Sequence, residues 1–240
     1  MSARFMSMAL MLCALSSACA HTVVRERIVY VERAPGQQEA PPPAREAVAD
    51  DLPPPLPGID AVLDAARVHL GKTQVRVKGK TFRYDCSGFV RGMFSAAGVD
   101  LMSEPGDPDD NGVRLIFHYV DRHGQNHFRK LPQKGDLVYF DNTWDKNGDG
   151  LLNDPLTHIG IVEEVAADGT MHILHRANRG IVRDPMNLLR PHDLKDAEGK
   201  ELNTWLRPKG RRDPPATPHL MSELFAGFGT VSKDAPVSEE

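Results

Sequence analysis

The stretch Asp85-Cys86-Ser87-Gly88-Phe89-Val90 decides the fold of this chain, because it predicts the start of a helix that carries a cysteine in its first turn. Asp85 is expected to cap that helix by accepting backbone N–H hydrogen bonds. The apolar residues that follow recur at helical spacing, and Gly98 then provides a typical helix end. A cysteine in this position lies at the positive end of the helix dipole, which is expected to lower the pKa of its thiol and favour the thiolate.

Apolar patterns on either side of this helix predict the rest of an α+β domain. Amphipathic spacing predicts two more helices, over residues 59–70 and 112–123. Short apolar runs predict strands over residues 137–140, 158–165, 171–175 and 181–182. Asp168-Gly169 is a turn signal that joins the second and third of these strands into a hairpin.

The cysteine count and the net charge narrow the possible functions. The chain has 240 residues, a net charge of -4 and three cysteines, Cys13, Cys19 and Cys86. A net negative charge gives no basic field that would favour binding of nucleic acid. The first two cysteines lie in the leader, so the folded part has one cysteine and no internal disulfide. A lone thiol with histidines elsewhere in the domain favours a catalytic nucleophile over a buried apolar cysteine.

The N-terminal residues predict export. Arg4 precedes a short apolar run, and Ser16-Ser17-Ala18-Cys19 follows it. Small residues directly before a cysteine resemble the end of a bacterial lipoprotein signal, after which Cys19 would carry the lipid. The alternative is ordinary secretion with cleavage after Ala20.

Composition divides the remaining chain into a tether, a domain and a tail. Residues 20–58 are rich in proline and are expected to be a disordered linker. Residues 59–212 hold the predicted helices and strands and are expected to form one domain. Residues 213–240 are predicted to be a loosely ordered tail.

Three sequence blocks resemble the NlpC-type family of bacterial papain-like cysteine peptidases that act on the cell wall. The blocks are residues 85–90, 135–140 and 158–162, and they occur in the family's order. The resemblance implies a papain-like α+β core in which an N-terminal catalytic helix packs on a small antiparallel β-sheet. Residues 72–80 depart from the family, since they lack its usual tyrosine and paired glycines.

The same resemblance implies a Cys-His-His triad. Cys86 would attack the substrate, His158 would act as the base, and His175 would orient His158. A two-residue turn at Asp168-Gly169 would pair Val162 with His175 and place His175 on the face of His158. A three-residue turn would favour His172 instead, and Asn178 is a further candidate for the third role.

A short polar segment before His158 resembles the first part of an EF-hand calcium loop. Its candidate ligands are Asp145, Asn147, Asp149, Leu151 and Asn153, with Asp154 as a substitute for the missing acid at the twelfth position. The alternative is an ordinary turn of Asp, Asn and Gly without a metal. No cofactor is required by the predicted chemistry, and calcium is the one possible metal ion.

These expectations combine into a cell-envelope cysteine peptidase that hydrolyses peptide bonds in peptidoglycan stem peptides, in the manner of a D,L-endopeptidase. Its expected partners are peptidoglycan and a membrane, the latter through the lipid on Cys19 of a periplasmic, outer-membrane lipoprotein. Two alternatives remain open at this point. One is a peptidoglycan amidase of the related CHAP type, and the other is a non-catalytic envelope-binding lipoprotein that retains the fold.

Overall fold

The computed structural model describes residues 52–211 and 213–237. It contains three helices in this range, α1 (Ile59–Val68), α2 (Cys86–Ser95) and α3 (Gly112–His123). The strands are β1 (Val75–Val77), β2 (Lys80–Phe82), β3 (Gly124–His127), β4 (Leu137–Phe140), β5 (His158–Val165), β6 (Met171–Ala177), β7 (Gly180–Met186) and β8 (Phe225–Val231). The three predicted helices and the four predicted strands are all present.

The architecture is α+β, as predicted. Strands β1 and β2 form a small hairpin, and the other six form one antiparallel sheet in the order β3-β8-β4-β5-β6-β7. Helix α2 packs against β5 and β6 and also contacts α1 and α3. The cysteine helix therefore lies on the sheet, next to the strand that His158 opens.

The sheet is buried on both faces because each face has its own apolar cluster. On the helix side, Leu137 and Ile159 are fully buried together with the apolar residues of the three helices. On the second side, Val138 and Phe140 are buried against Met221 and Leu224 from the C-terminal part of the chain. This explains why β4 is a continuous apolar run rather than an alternating one.

Helix α2 begins as its sequence predicts, and two of its glycines let the preceding hairpin pack closely. The side chain of Asp85 accepts a hydrogen bond from the backbone N–H of Gly88 at 2.7 Å. A Cβ atom on Gly88 would lie 2.3 Å from the carbonyl oxygen of Arg83, and one on Gly92 would lie 2.7 Å from a methyl of Val75. Larger residues at these positions would push the hairpin away from the cysteine helix.

The prediction of a loosely ordered tail over residues 213–240 is wrong for the part that the structure describes. Strand β8 lies inside the sheet, between β3 and β4, and Phe228 is fully buried. The strand escaped prediction because small residues interrupt its apolar pattern. A Cβ atom on Gly229 would lie 2.4 Å from the hydroxyl oxygen of Tyr139, so close packing explains at least one of these small residues.

The domain also begins earlier than the predicted boundary at residue 59. Leu56 is buried in the helix-side core, and Pro55 forms a bridge with Ser232 beyond β8. The end of the predicted linker is therefore part of the domain. The predicted signal, Cys19 and the rest of the linker lie outside the described residues. Within the described residues, no helix combines the length and apolar character needed to cross a membrane.

Candidate active site

Cys86 lies at the first position of α2, where the chain presents several backbone N–H groups to its sulfur. Backbone groups of Ile159, Ser87 and Cys86 itself interact with the sulfur and act to lower the pKa of the thiol. The contact with Ile159 brings the cysteine to the start of β5. Cys86 and His158 accordingly line the same cavity.

The thiol is less acidic than its helix position predicts. Burial raises the pKa of Cys86 from 9.0 to about 11, and the negative charge of Asp85 adds to the rise. The backbone N–H groups oppose this change but do not outweigh it. The expectation of a lowered pKa was wrong because it counted the helix dipole and left out desolvation of the thiolate.

His158 is also held in its neutral form. Burial lowers the pKa of His158 well below its ordinary value, and the neighbouring His175 and Arg176 lower it further. A neutral imidazole beside a neutral thiol can accept the thiol proton as the sulfur attacks a carbonyl carbon. The pair suits general-base activation of the thiol at the moment of reaction.

A chain of hydrogen bonds fixes the orientation of His158. Its Nε2 lies 2.8 Å from Nδ1 of His175, and Nε2 of His175 lies 2.9 Å from a carboxylate oxygen of Asp184. The carboxylate can only accept, so His175 donates from Nε2 and accepts at Nδ1. His158 then donates from Nε2, which leaves the lone pair of its Nδ1 free to take a proton.

The predicted pairing of Val162 with His175 between β5 and β6 is wrong, because Val162 pairs with Ile173. His175 nevertheless lies on the same face as His158, as expected. The turn has three residues, because the N–H of Ala166 donates to the carbonyl of Thr170 at 2.8 Å and Val165 pairs with Met171. A bulge between Val162 and Glu164 then shifts the register, so that Ile161 pairs with Leu174. The extra residue restores the alternation and returns His175 to the face of His158.

The two other candidates for the third role lie elsewhere. His172 is half-buried at the far end of the hairpin, where its Nδ1 lies 3.1 Å from a carboxylate oxygen of Glu164. Asn178 is exposed in the turn between β6 and β7, at the edge of the cavity. The structure brings His158 and His175 together and leaves His172 and Asn178 outside their hydrogen-bond chain.

Asp184 and Arg179 complete this chain, and the sequence analysis did not identify either. Asp184 is buried on β7, directly opposite Ile173 of β6, and forms an ion pair with Arg179. The available signal was a charged residue two positions beyond the short strand predicted over residues 181–182. That signal is weak, since charged residues on edge strands are usually exposed.

The segment that departs from the family pattern forms the β1–β2 hairpin. The hydroxyl of Tyr84 donates to the carbonyl of Lys72 at 2.9 Å, and the guanidinium of Arg176 stacks 4.6 Å from its ring centre. Tyr84 therefore supports the hairpin. The backbone N–H of Cys86 at the start of α2 can still serve as one donor to a developing oxyanion.

The predicted calcium loop folds into a compact polar turn beside the site. The carboxylate of Asp145 accepts hydrogen bonds from two backbone N–H groups, and that of Asp149 accepts the side-chain amides of Asn147 and Asn153 at 3.0 and 2.7 Å. Leu151 donates its N–H to Asp149 at 2.8 Å. Among the described residues, no group of three His, Cys, Asp or Glu side chains is arranged to hold a metal ion.

Two cavities meet at Cys86. The first has a volume of about 530 Å³ and extends from His158 toward Trp205 and Arg207. The second has a volume of about 640 Å³ and extends along the start of α2. Trp144, from the loop before β5, lines both cavities. Together they form a groove that could hold a peptide on either side of the thiol.

Comparison with known proteins agrees with this geometry. Residues 71–188 match the NlpC/P60 family. A segment of 133 residues is 28% identical to a gamma-D-glutamyl-L-lysine dipeptidyl-peptidase of Bacillus cereus, and the match covers 55% of this chain. It covers 33% of the Bacillus protein, so this chain spans about a third of the length of that relative.

Proposed function

The chain belongs, through residues 71–188, to the NlpC/P60 family of cysteine peptidases, and on that premise we propose that it hydrolyses peptide bonds in the stem peptides of peptidoglycan. The observation that carries the proposal is the hydrogen-bond chain from His158 through His175 to Asp184, beside the thiol of Cys86. These side chains supply a nucleophile, a base and the groups that orient the base.

The proposed reaction follows from the proton positions. Nδ1 of His158 takes the proton of the Cys86 thiol while the sulfur attacks the carbonyl carbon of the scissile peptide bond. The backbone N–H groups at the start of α2 stabilise the negative charge that develops on the carbonyl oxygen. His158 then returns the proton to the leaving amine, and water hydrolyses the thioester with the same base.

The substrate class is supported by the relative rather than by the cavity. The Bacillus protein is named for a γ-D-glutamyl-L-lysine linkage, a bond between a γ-carboxyl group and a diamino acid. We extend that linkage to this chain as the expected bond, with D,L-endopeptidase specificity. The 28% identity supports the type of reaction more strongly than it supports the choice of bond.

Turnover of purified peptidoglycan with identification of the products tests this function. An endopeptidase leaves part of the stem attached to the sugar, whereas a CHAP-type amidase releases the whole stem. Cys86→Ala should abolish hydrolysis and keep the melting curve, since the change at a helix start is small. Failure of the unaltered protein to hydrolyse any peptidoglycan fragment would support the non-catalytic envelope-binding role instead.

The proposed location is the periplasmic side of the outer membrane, with the domain anchored through lipid on Cys19. The support is the run of small residues before Cys19 and the proline-rich stretch after it. Stable anchoring requires two or more acyl chains, which a processed lipoprotein cysteine carries. Mass spectrometry of the mature N-terminus tests this proposal, and a chain that begins at His21 would rule it out.

A further inference from the structure

The cavity that extends from His158 toward Trp205 carries a concentrated positive charge. Four cationic side chains line it: Arg176, Arg179, Arg207 and Lys209. No aspartate or glutamate occurs among the described residues that line it. The whole chain has a net charge of -4, so this surface is opposite in sign to the molecule that carries it.

Most of this charge is not neutralised within the protein. Arg207 donates to the backbone carbonyl of Asn142 at 2.6 Å, and Arg176 stacks on the ring of Tyr84. The Nε atom of Arg176 is buried and has no hydrogen-bond partner among the described residues. Within that part of the chain, no carboxylate lies within ion-pair distance of Arg176, Arg207 or Lys209. Arg179 is the exception, since it pairs with Asp184.

The second cavity, on the other side of Cys86, has a different character. Its lining includes Asp85 and Asp110 as well as basic residues, and Arg83 forms an ion pair with Asp85 at 2.9 Å. Two of its four basic residues, Arg83 and Arg91, pair with carboxylates, whereas all but one of the cations in the first cavity lack such a partner among the described residues. The groove is therefore asymmetric, with a cationic half and a mixed half that meet at the thiol.

Two tryptophans frame the cationic half. Trp144 and Trp205 are 54% and 50% exposed, which is high for the residue type that buries the most apolar area. Exposed indole rings beside unneutralised guanidinium groups make a site for a ligand that has both an apolar part and an anionic part. Guanidinium groups bind carboxylates through paired hydrogen bonds, which an amide cannot match.

We propose that this cationic cavity is a substrate subsite that binds a free carboxylate of the peptide, next to the bond that Cys86 attacks. The proposal rests on the proposed function and adds a selectivity to it. Peptides that carry free carboxylates are bound, and peptides in which those groups are carboxamides are bound weakly. Two of its four cations, Arg207 and Lys209, and one of its tryptophans, Trp205, lie outside the segment that matches the family.

The test compares a γ-D-glutamyl-L-lysine peptide with free carboxylates and the same peptide with every carboxylate as a carboxamide. Binding is measured by calorimetry in the Cys86→Ala protein, so that hydrolysis does not interfere. The free-carboxylate peptide should bind at least tenfold more tightly. Arg207→Gln and Lys209→Gln are each added to Cys86→Ala. Each should weaken binding of the free-carboxylate peptide alone, so that the ratio of the two affinities moves toward one.

Two control variants and a turnover measurement make the result decisive. Arg190→Gln removes an equal charge from an exposed residue that pairs with Asp193, and it should leave the ratio unchanged. Arg207→Lys should restore part of the preference. Equal affinities for the two peptides, or a preference that survives both glutamine variants, would overturn the subsite. A clear preference without any turnover by the unaltered protein would overturn the proposed function and leave the subsite standing.

Discussion

Residues 85–184 and residues 189–237 contribute to the same site in opposite ways. The first region carries Cys86, His158 and His175, the proposed reacting and orienting side chains, on helices and strands that its own sequence pattern predicts. The second region carries no motif, yet it supplies a strand inside the sheet and adds Trp205, Arg207 and Lys209 to the cationic cavity. The family match ends at residue 188, so the proposed catalytic residues lie within it, whereas half of the cations of the proposed subsite lie beyond it.

The largest expected effect comes from breaking the second region. Phe228→Ala removes a fully buried side chain from a strand that pairs with β3 and β4. We expect it to lower the free energy of unfolding by about 3–5 kcal/mol, the usual cost for a buried phenylalanine. Urea denaturation measures this as a lower midpoint at an unchanged slope.

Phe128→Ala is the matched control. Phe128 is 67% exposed and directly follows β3, the strand that pairs with β8. We expect a change within about 0.5 kcal/mol for this variant. Equal stability of the two variants would mean that residues 225–231 are the loose tail that the sequence pattern predicts.

The next effect distinguishes two histidines within the first region. His175→Ala should lower kcat by about 10²–10⁴, the range for loss of an orienting or acid–base group. His172→Ala should change kcat less than about twofold, because His172 pairs with Glu164 outside the site. The opposite ranking, measured on peptidoglycan fragments, would mean that β6 follows the register without the bulge.

The acidity of the thiol gives a third test. A pKa of about 11 for Cys86, against 9.0 for an ordinary cysteine, reduces the thiolate fraction at neutral pH about a hundredfold. Iodoacetamide should therefore label folded protein far more slowly than unfolded protein at pH 7. The rate should rise with pH through the pKa of Cys86, since only the thiolate reacts.

The label must report Cys86 alone, so the measurement uses protein in which Cys13 and Cys19 are serine. Cys86→Ala in that background has no cysteine and gives the background level of labelling. A fast rate that stays constant down to pH 5 would show a thiolate paired with a charged imidazole, and it would contradict the neutral pair.

The contrast between the two regions also shows what the sequence could predict. Residues 137–140 and 158–165 were identified because their patterns are apolar and their pairing partners lie close in the chain. β8 could not be identified, because its pairing with β4 joins residues about ninety positions apart and its close packing requires small residues. The position of His175 beside His158 depended on a turn length and a bulge, and alternation alone does not predict a bulge.

A smaller effect should follow when the far end of the hydrogen-bond chain is changed. His175 and Arg179 both donate to Asp184, so Asp184→Asn leaves one acceptor oxygen for two donors. The new NH2 group cannot accept from either donor, so one of the two loses its partner and the productive form of His175 is disfavoured. We expect kcat to fall at least about tenfold, the equivalent of one hydrogen bond of about 1.4 kcal/mol.

Asp193→Asn is the control for this variant, because it removes a carboxylate from an exposed pair with Arg190. Its kcat should match that of the unaltered protein. If kcat is also unchanged in Asp184→Asn, Asp184 does not help to orient His158, and His175 alone has that role.

The smallest effect concerns the polar loop over residues 142–157, which lies in the first region and contacts the second through Arg207. Its base is closed by the hydroxyl groups of Thr143 and Thr157, 3.0 Å apart, and the carbonyl of Asn142 accepts the hydrogen bond from Arg207. We expect calcium to bind at Asp145 and Asp149 with a Kd of about 10⁻⁴ to 10⁻³ M, the range of extracellular modules. At 1 mM calcium, binding to the folded form alone would add about 0.4–1.4 kcal/mol of stability.

Melting curves in millimolar calcium and in EDTA measure this gain. Asp149→Ala should abolish it, because Asp149 is the carboxylate on which the side chains of Asn147 and Asn153 converge. Asp109→Ala, a change in another exposed loop, should leave it intact. The loop also carries Trp144, which lines both cavities, so calcium should tighten binding of the carboxylate peptide as well. Identical melting curves in the two buffers would make the segment an ordinary Asp, Asn and Gly turn, whose order comes from its own hydrogen bonds.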